Sequence, residues 1–402
     1  MDGFFSKASV VRIKRHFNGN KTNAKPSVMR FKSAFSNHDD MLQMHLRRLG
    51  LSELSEYLAW FQFDRFKLSV ICHGGFSTVY KGIYTWPEND NTHEAREAVF
   101  ALKEFDRSMV VLNVHLFNQS RGLCPTIKIY GITHDEKTNK YMMVTQCGDY
   151  SLDTWQTTTD GLWYKLVTSW RLLSLYLNKI HRMGVLHQDL HPGNIVYVKG
   201  VPQFIDTGLS TLRTQHSKTK RGVFGRLAYL PPEIFKGQPY TTSSEVYCLG
   251  TLFWQMVTGV PPRGTASDRR RDGLREDSIP GMPKPLMDLI RDCWYEVPAR
   301  RPTMSQILKR CRALMAMDVV LSPIPESTKV FVAQRRAEHA MSLEQQEDGG
   351  FVFVESESSE YNSRFFSSYD LRAVNRVAPM KSAPKIPRPI PTHSGKKPEI
   401  QT

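Results

Sequence analysis

The chain has 402 residues, 40% of them hydrophobic and 23% charged, with a formal net charge of +15. Such a composition suits one large two-part domain with extensions and excludes a chain unable to bury a core. No apolar run approaches the roughly 18 to 20 residues that cross a bilayer, and no short apolar core followed by a small-residue cleavage site stands near the first residue, so an intracellular protein is expected, cytoplasmic before nuclear. The six cysteines include no Cys-x-x-Cys pair, which argues against a disulfide framework or a zinc site. Basic residues gather in separate places, among them Lys218-Thr-Lys-Arg221, Arg269-Arg-Arg271 and Arg300-Arg301. They form no single stripe interleaved with aromatics, so no nucleic-acid partner is expected.

Residues 1–38 are rich in Lys, Arg, Ser and Asn and carry almost no acid, the signature of a disordered basic extension. Within it Phe4, Phe5, Ala8, Val11 and Ile13 alternate with Lys7, Arg12, Lys14 and Arg15 as a weak amphipathic helix. A mitochondrial presequence or a membrane-surface anchor is the alternative there, against which Asp2 and the short length count. Across residues 39–65, Leu42, Leu46, Leu49, Leu51, Leu54, Leu58 and Trp60 recur at helical intervals around Gly50 and predict two short helices packed on the next segment of the chain.

From Phe66 the pattern becomes strand-like, with runs at 68–71, 78–83, 99–103, 127–132 and 141–145 separated by polar turns. From Leu162 it becomes helical: Leu166, Leu172, Leu173, Leu175, Leu177 and Ile180 make a wide apolar face over 163–183, and a long central helix is predicted over about 243–258. An α+β chain is therefore expected, with a small antiparallel sheet lobe at 66–147 and a larger, mainly helical lobe at 148–317. After Met317 periodicity fades, and residues 318–402 read as a disordered tail ending in Pro384, Pro387, Pro389 and Pro391. A plain flexible end and an SH3-type ligand are the two readings of that proline run.

The chemistry concentrates in His187-Gln-Asp-Leu-His-Pro-Gly-Asn194, succeeded by Asp206-Thr-Gly208. This order sets a candidate proton acceptor, Asp189, ahead of two oxygen donors, Asn194 and Asp206, at a spacing suited to phosphoryl transfer from a metal-bound nucleotide. Apolar runs at 184–186, 195–198 and 203–205 read as short buried strands that hold these polar loops rigid. His187 itself reads as a packed brace for the loop.

Together with Lys103 in Val-Phe-Ala-Leu-Lys, Pro231-Pro-Glu233 and Arg301-Pro302, these motifs resemble the eukaryotic protein kinase catalytic domain over about 66–317, most closely its tyrosine-kinase-like branch. The resemblance implies a two-lobed kinase-like fold, and ATP and Mg2+ as cofactors. Lys103 would grip the nucleotide phosphates, Asp189 act as catalytic base, and Asn194 and Asp206 hold the metal. It implies a nucleotide pocket from Ile71, Gly74, Gly75, Val79, Ala101, Lys103, Thr145, Gln146 and Cys147, and a structural pair between Glu233 and Arg301. A protein substrate with serine/threonine preference is implied by likeness, although His191 stands where a lysine is usual and Arg226 where a threonine is usual.

The pattern also departs from the family. Cys72 and Ser77 replace the outer glycines of the phosphate loop, Gln188 replaces an arginine, and Glu245 replaces the aspartate that braces the catalytic loop. No glutamate comes after Lys103 at the expected helical position, near which Val111 falls; Glu94 or Glu97 are the alternative partners. Two functions stay open: an active kinase, and a pseudokinase acting as scaffold or allosteric partner.

Overall fold

A computed structural model of the chain describes residues 38–73, 78–86, 97–105, 110, 111, 114, 125–154, 161–206, 211, 212, 222–263, 276, 278–348 and 364–367. The basic extension, the glycines Gly74 and Gly75, Glu94, and the proline run lie outside the described residues.

Helix α1 (His38–Leu49) opens the described chain, with Asp39 and Asp40 in its first turn and Arg47 and Arg48 in its last, complementing the helix dipole. Gly50 at φ 68° ends it in the left-handed region that glycine adopts freely. The second helix expected from the leucine spacing is only a short 3-10 turn, Ser52–Leu54, and the chain then forms strand β1 (Ala59–Trp60). Leu42, Leu46, Leu49, Leu51, Leu54 and Leu58 are all buried, so the apolar spacing reports the core contact correctly while misassigning the second element.

Next come β2 (Phe66–His73), β3 (Thr78–Thr85), β4 (Glu97–Glu104), β5 (Ile129–Asp135) and β6 (Lys140–Gln146). They assemble with β1 in the order β1-β5-β6-β4-β3-β2, antiparallel throughout except that β1 runs parallel to β5. The lead-in thus adds a strand to the edge of the small lobe. Gly131 admits it: β1 pairs Ala59 with Gly131, and a Cβ there would overlap the Ala59 carbonyl. One face of the sheet is an aromatic cluster in which Phe61 meets Tyr84 at 5.3 Å and Phe100 at 5.2 Å between centroids. Val110, Val111 and Val114 are buried in the same continuous core as the leucines of α1.

α1 is also fastened by a polar contact. His45 stacks on Trp60 at 4.0 Å, shares a 2.9 Å hydrogen bond between Nδ1 and Tyr141 Oη, and lies 5.4 Å from the His134 ring. Burial, with His134 and Arg48 nearby, lowers its pKa to about 4.

The large lobe contains β7 (Tyr150–Ser151), α2 (Trp163–Arg182), β8 (Val185–Leu186), β9 (Ile195–Val198), β10 (Val201–Phe204), β11 (Thr211–Leu212) and β12 (Gly222–Gly225). Then come α3 (Pro232–Phe235), α4 (Thr242–Thr258), α5 (Lys284–Cys293) and α6 (Met304–Met315). α4 is buried from Ser244 to Thr258 and starts with a capping box between Thr241 and Ser244. Trp170 of α2 stacks on its Phe253 at 4.5 Å. Arg301 clamps Glu233 with two parallel bonds of 2.7 Å, and Ser244 Oγ donates to the same carboxylate. A charge pair this buried contributes through its completeness, because removing one partner strands the other without water.

Residues 318–348 differ from the featureless tail expected. They form a short 3-10 turn, Asp318–Leu321, and a long helix α7 (Glu326–Asp348). α7 docks through Phe331 against Trp254 and through Arg336, whose Nε donates to the Thr258 carbonyl at the end of α4. Its Arg335 lies buried 3.7 Å from Glu276, and Thr328 donates to the Pro280 carbonyl. Hydrophobic periodicity misses this helix because much of its docked face is polar.

Gly131→Ala should expel β1 and lower stability by about 1–3 kcal/mol in calorimetry, the usual cost of overpacking; an unchanged melting curve would mean that β1 does not sit there. Because the folded state holds His45 below its ordinary pKa, the unfolded chain binds the proton first, so stability is full above about pH 6.5 and declines toward pH 4. The fall in melting temperature between pH 7 and pH 5 should therefore be shallower in His45→Phe than in the parent, and parallel slopes would refute the assignment.

Candidate active site

Strand alternation decides which side chains meet the cleft. In β4, Phe100 and Leu102 point into the aromatic cluster, so Ala101 and Lys103 point to the other face. The register sets Val79 opposite Lys103 and Thr145 opposite Ala101, and residues directly opposite share a face. Val79, Ala101, Lys103 and Thr145 therefore line one surface, and the Thr145 hydroxyl donates to the Ala101 carbonyl at 3.2 Å. Gln146 ends β6, and Cys147 continues from it into the connection between lobes. Burial raises the Cys147 thiol above its ordinary pKa, which keeps it protonated and weakly nucleophilic. Ile71 on β2 is exposed.

Lys103 Nζ reaches Asp206 Oδ2 at 2.5 Å. This pair joins the small lobe to the loop after β10, both partners keeping about a fifth of their surface exposed. Asp206 adopts φ 54°, a region costly for a residue with a Cβ and typical of positions held for a purpose by their surroundings. Glu97 stands at the opposite end of β4, and at about 3.3 Å per residue the six-residue separation exceeds any side chain's reach. Glu104 is committed to Lys140 at 2.7 Å, and Val111 is fully buried among apolar groups. Among the described residues, the acid in an ion pair with Lys103 is Asp206.

The catalytic-loop candidates are buried and mutually bonded. Asn194 Nδ2 donates to the Asp189 carbonyl at 2.9 Å and to Asp189 Oδ2 at 3.0 Å. With the amide nitrogen so engaged, Oδ1 is the atom Asn194 can offer a cation. His191 accepts the Gly193 N–H at Nδ1, which makes Nε2 the protonated nitrogen, and that atom lies 3.5 Å from Asp189 Oδ2. His187 donates from Nε2 to the Ile205 carbonyl at 3.2 Å, and burial lowers its pKa, holding it neutral. Ile205 N–H in turn donates to the Asn194 carbonyl at 2.9 Å. The loop bearing Asp189 and the one bearing Asp206 are thus tied together next to both residues.

Beneath them lies Glu245, wholly buried on α4. Its Oε1 accepts the Gln188 N–H at 2.7 Å, and its Oε2 contacts His181 Nε2 at 2.5 Å. Gln188 sits at φ 67°, so its amide is aimed at this carboxylate by an uncommon backbone shape. His181, at the end of α2, is a partner that no spacing rule announces. The same holds for Asp153, which takes the Arg226 guanidinium at 2.8 Å and draws it across Gly193. β11 pairs with β8, seating the start of the segment after Asp206 against the strand that leads into the catalytic loop.

Comparison with known proteins agrees with this geometry. The Protein kinase domain family matches residues 66–311. Mitogen-activated protein kinase kinase kinase 7 of Bos taurus is 28% identical over 149 residues, covering 35% of this chain and 25% of that protein. Mitogen-activated protein kinase kinase kinase 11 of Homo sapiens is 30% identical over 168 residues, covering 38% of this chain and 19% of that protein. The chain spans a quarter or less of the length of these curated relatives. With a sheet lobe, a helical lobe, and an amine and carboxylates meeting between them, the chain belongs to the protein kinase domain family.

Proposed function

We propose that the chain is a protein kinase that uses ATP and Mg2+ and transfers the γ-phosphoryl group to a protein hydroxyl, with serine or threonine preferred. The observation that carries this reading is the joint placement of Lys103 on Asp206 and of Asn194 on Asp189. A triphosphate brings several negative charges that must be neutralised and held in line, which is why an ammonium and metal-binding oxygens form the core of such sites. Asp206 and Asn194 supply two oxygen donors, suited to a cation that shares its remaining coordination with phosphates and water. When bound, that cation neutralises charge on the transferring group.

Lys103, directed by Asp206, meets the phosphates from the small lobe. Val79, Ala101 and Thr145 face the nucleotide base, and the chain at Gln146 and Cys147 offers its edge backbone groups. Asp189 orients the acceptor hydroxyl and takes its proton; Asn194 fixes Asp189 through Oδ2, and Glu245 steadies the loop from below through Gln188. A second reading, a pseudokinase acting as a scaffold, is favoured by Val111, which lies buried near the position expected for a helix glutamate. No helix among the described residues is long and apolar enough to cross a membrane. A cytoplasmic setting accords with that, and an SH3-type partner for the proline run belongs to the same proposal.

Purified protein with magnesium and ATP should phosphorylate a basic protein or itself. Asp189→Asn should lower the rate by at least about 100-fold, the lower range of a general base's contribution, with an unchanged melting temperature. An undiminished signal in that variant would trace the activity to a contaminant. Magnesium-ATP at a hundred times its Kd should stabilise the native chain by about 2.7 kcal/mol, and Lys103→Met should abolish the shift. A full shift without phosphotransfer would select the nucleotide-binding scaffold; no shift in the parent would remove the nucleotide from the reading altogether.

A further inference from the structure

The chain's own tail returns to the segment beside the catalytic loop. Strand β13 (Arg364–Ser367) pairs antiparallel with β12, setting Gly222 opposite Ser367, Val223 opposite Phe366, Phe224 opposite Phe365 and Gly225 opposite Arg364. One residue beyond Gly225 is Arg226, bound to Asp153 at 2.8 Å. A Cβ at Gly193 would stand 2.5 Å from Arg226 Nη2, so the end of β12 is pinned against the loop that carries Asp189. The strand pair therefore begins next to the candidate site.

We propose that β12 is an edge-docking site for an extended peptide, and that residues 364–367 occupy it in cis as an autoinhibitory strand. The backbone chemistry of both strands fits the role. Neither contains proline, so each residue retains its N–H, and the glycines at both ends of β12 carry no Cβ to obstruct an approaching chain. A two-stranded ribbon of four residues a side is marginal in water. Occupancy must then come from the tether. α7 is docked on the large lobe through Phe331 and Arg336, and 15 residues separate Asp348 from Arg364. Fifteen residues can span at most about 50 Å, and a tether of that reach confines the strand to an effective concentration on the order of a millimolar. An outside segment must displace β13 before it can lie on β12. That such a segment is a substrate rests on the kinase reading above, which Asp189→Asn tests separately.

The test uses the full chain and a double variant, Phe365→Pro with Phe366→Pro, which deletes two backbone donors from β13 and lies outside the sequence of both lobes. Hydrogen exchange at residues 222–225 should quicken at least about tenfold in the variant, as expected where a local pairing is lost. A labelled peptide with the sequence of residues 361–369 should bind the variant saturably in fluorescence anisotropy and restore that protection. Binding to the parent should be at least about tenfold weaker, because the tethered strand competes. Equal exchange in the two proteins would overturn the pairing. Quickened exchange with equal peptide binding, or with none to either protein, would overturn the docking site. Neither readout requires phosphotransfer.

Discussion

The contact between Lys103 and Asp206 is the constraint on which the rest of the cleft depends. It is a short pair between groups that are only partly exposed, formed by one residue from each lobe. An ammonium with no carboxylate nearby would leave the cleft positive and undirected; here Asp206 both neutralises and aims it. On the kinase reading proposed above the same carboxylate is the metal ligand, so a cation and phosphates entering the cleft would exchange partners with Lys103 instead of filling an idle site. Asp206 is prepared for this by its left-handed backbone and by the Ile205 and Asn194 bond just before it. Since no helix glutamate pairs with Lys103 among the described residues, orientation of the amine comes from the large lobe. Opening the cleft would therefore loosen the amine as well as the pocket.

That dependence gives the buried supports their meaning. Glu245 carries a longer arm than the aspartate it replaces, and the geometry absorbs the difference: one oxygen takes the Gln188 amide and the other reaches His181. A carboxylate with no exposed surface is tolerable only when both oxygens are served. On the other lobe, α1 and β1 supply apolar mass to the core that contains Val110, Val111 and Val114. Near the position where an acidic partner of Lys103 is expected, Val110, Val111 and Val114 pack in one core with the leucines of α1, and Gly131 records the fit of β1 in the sheet itself. The additions on each side of the family-matched region are thus parts of the folded unit, α7 being anchored on α4 through Arg336 and α1 on Tyr141 through His45.

What the residues alone reveal has a physical pattern. Lys103, Asp189, Asn194 and Asp206 are legible because each sits at a fixed distance from an apolar strand, and strand period together with loop length survives in linear spacing. The sheet and the helices at 163–182 and 242–258 are legible for the same reason. β1 is not, because two residues carry no period, and its pairing depends on a glycine some seventy positions away. α7 escapes notice because, beside Phe331, its anchors include Thr328, Arg335 and Arg336, polar groups that hydrophobic periodicity counts as surface. His181 and Asp153 escape it because long-range pairs leave no local trace.

The floor of the cleft shows how two departures from the family pattern become one arrangement. His191 stands where a lysine is usual and Arg226 where a threonine is usual, so from sequence alone the site exchanges one positive charge for another. The geometry separates them. Arg226 is drawn away by Asp153 and laid over Gly193, where its charge is balanced. His191 is fixed by the Gly193 amide with its protonated nitrogen toward Asp189. Gly193 is the hinge of both contacts, and a side chain at that position would have to displace the guanidinium, the Asp153 carboxylate or the imidazole. On the kinase reading proposed above, neutralisation of a triphosphate would fall to Lys103 and to a cation held by Asn194 and Asp206, which returns the chemistry to the pair that joins the lobes.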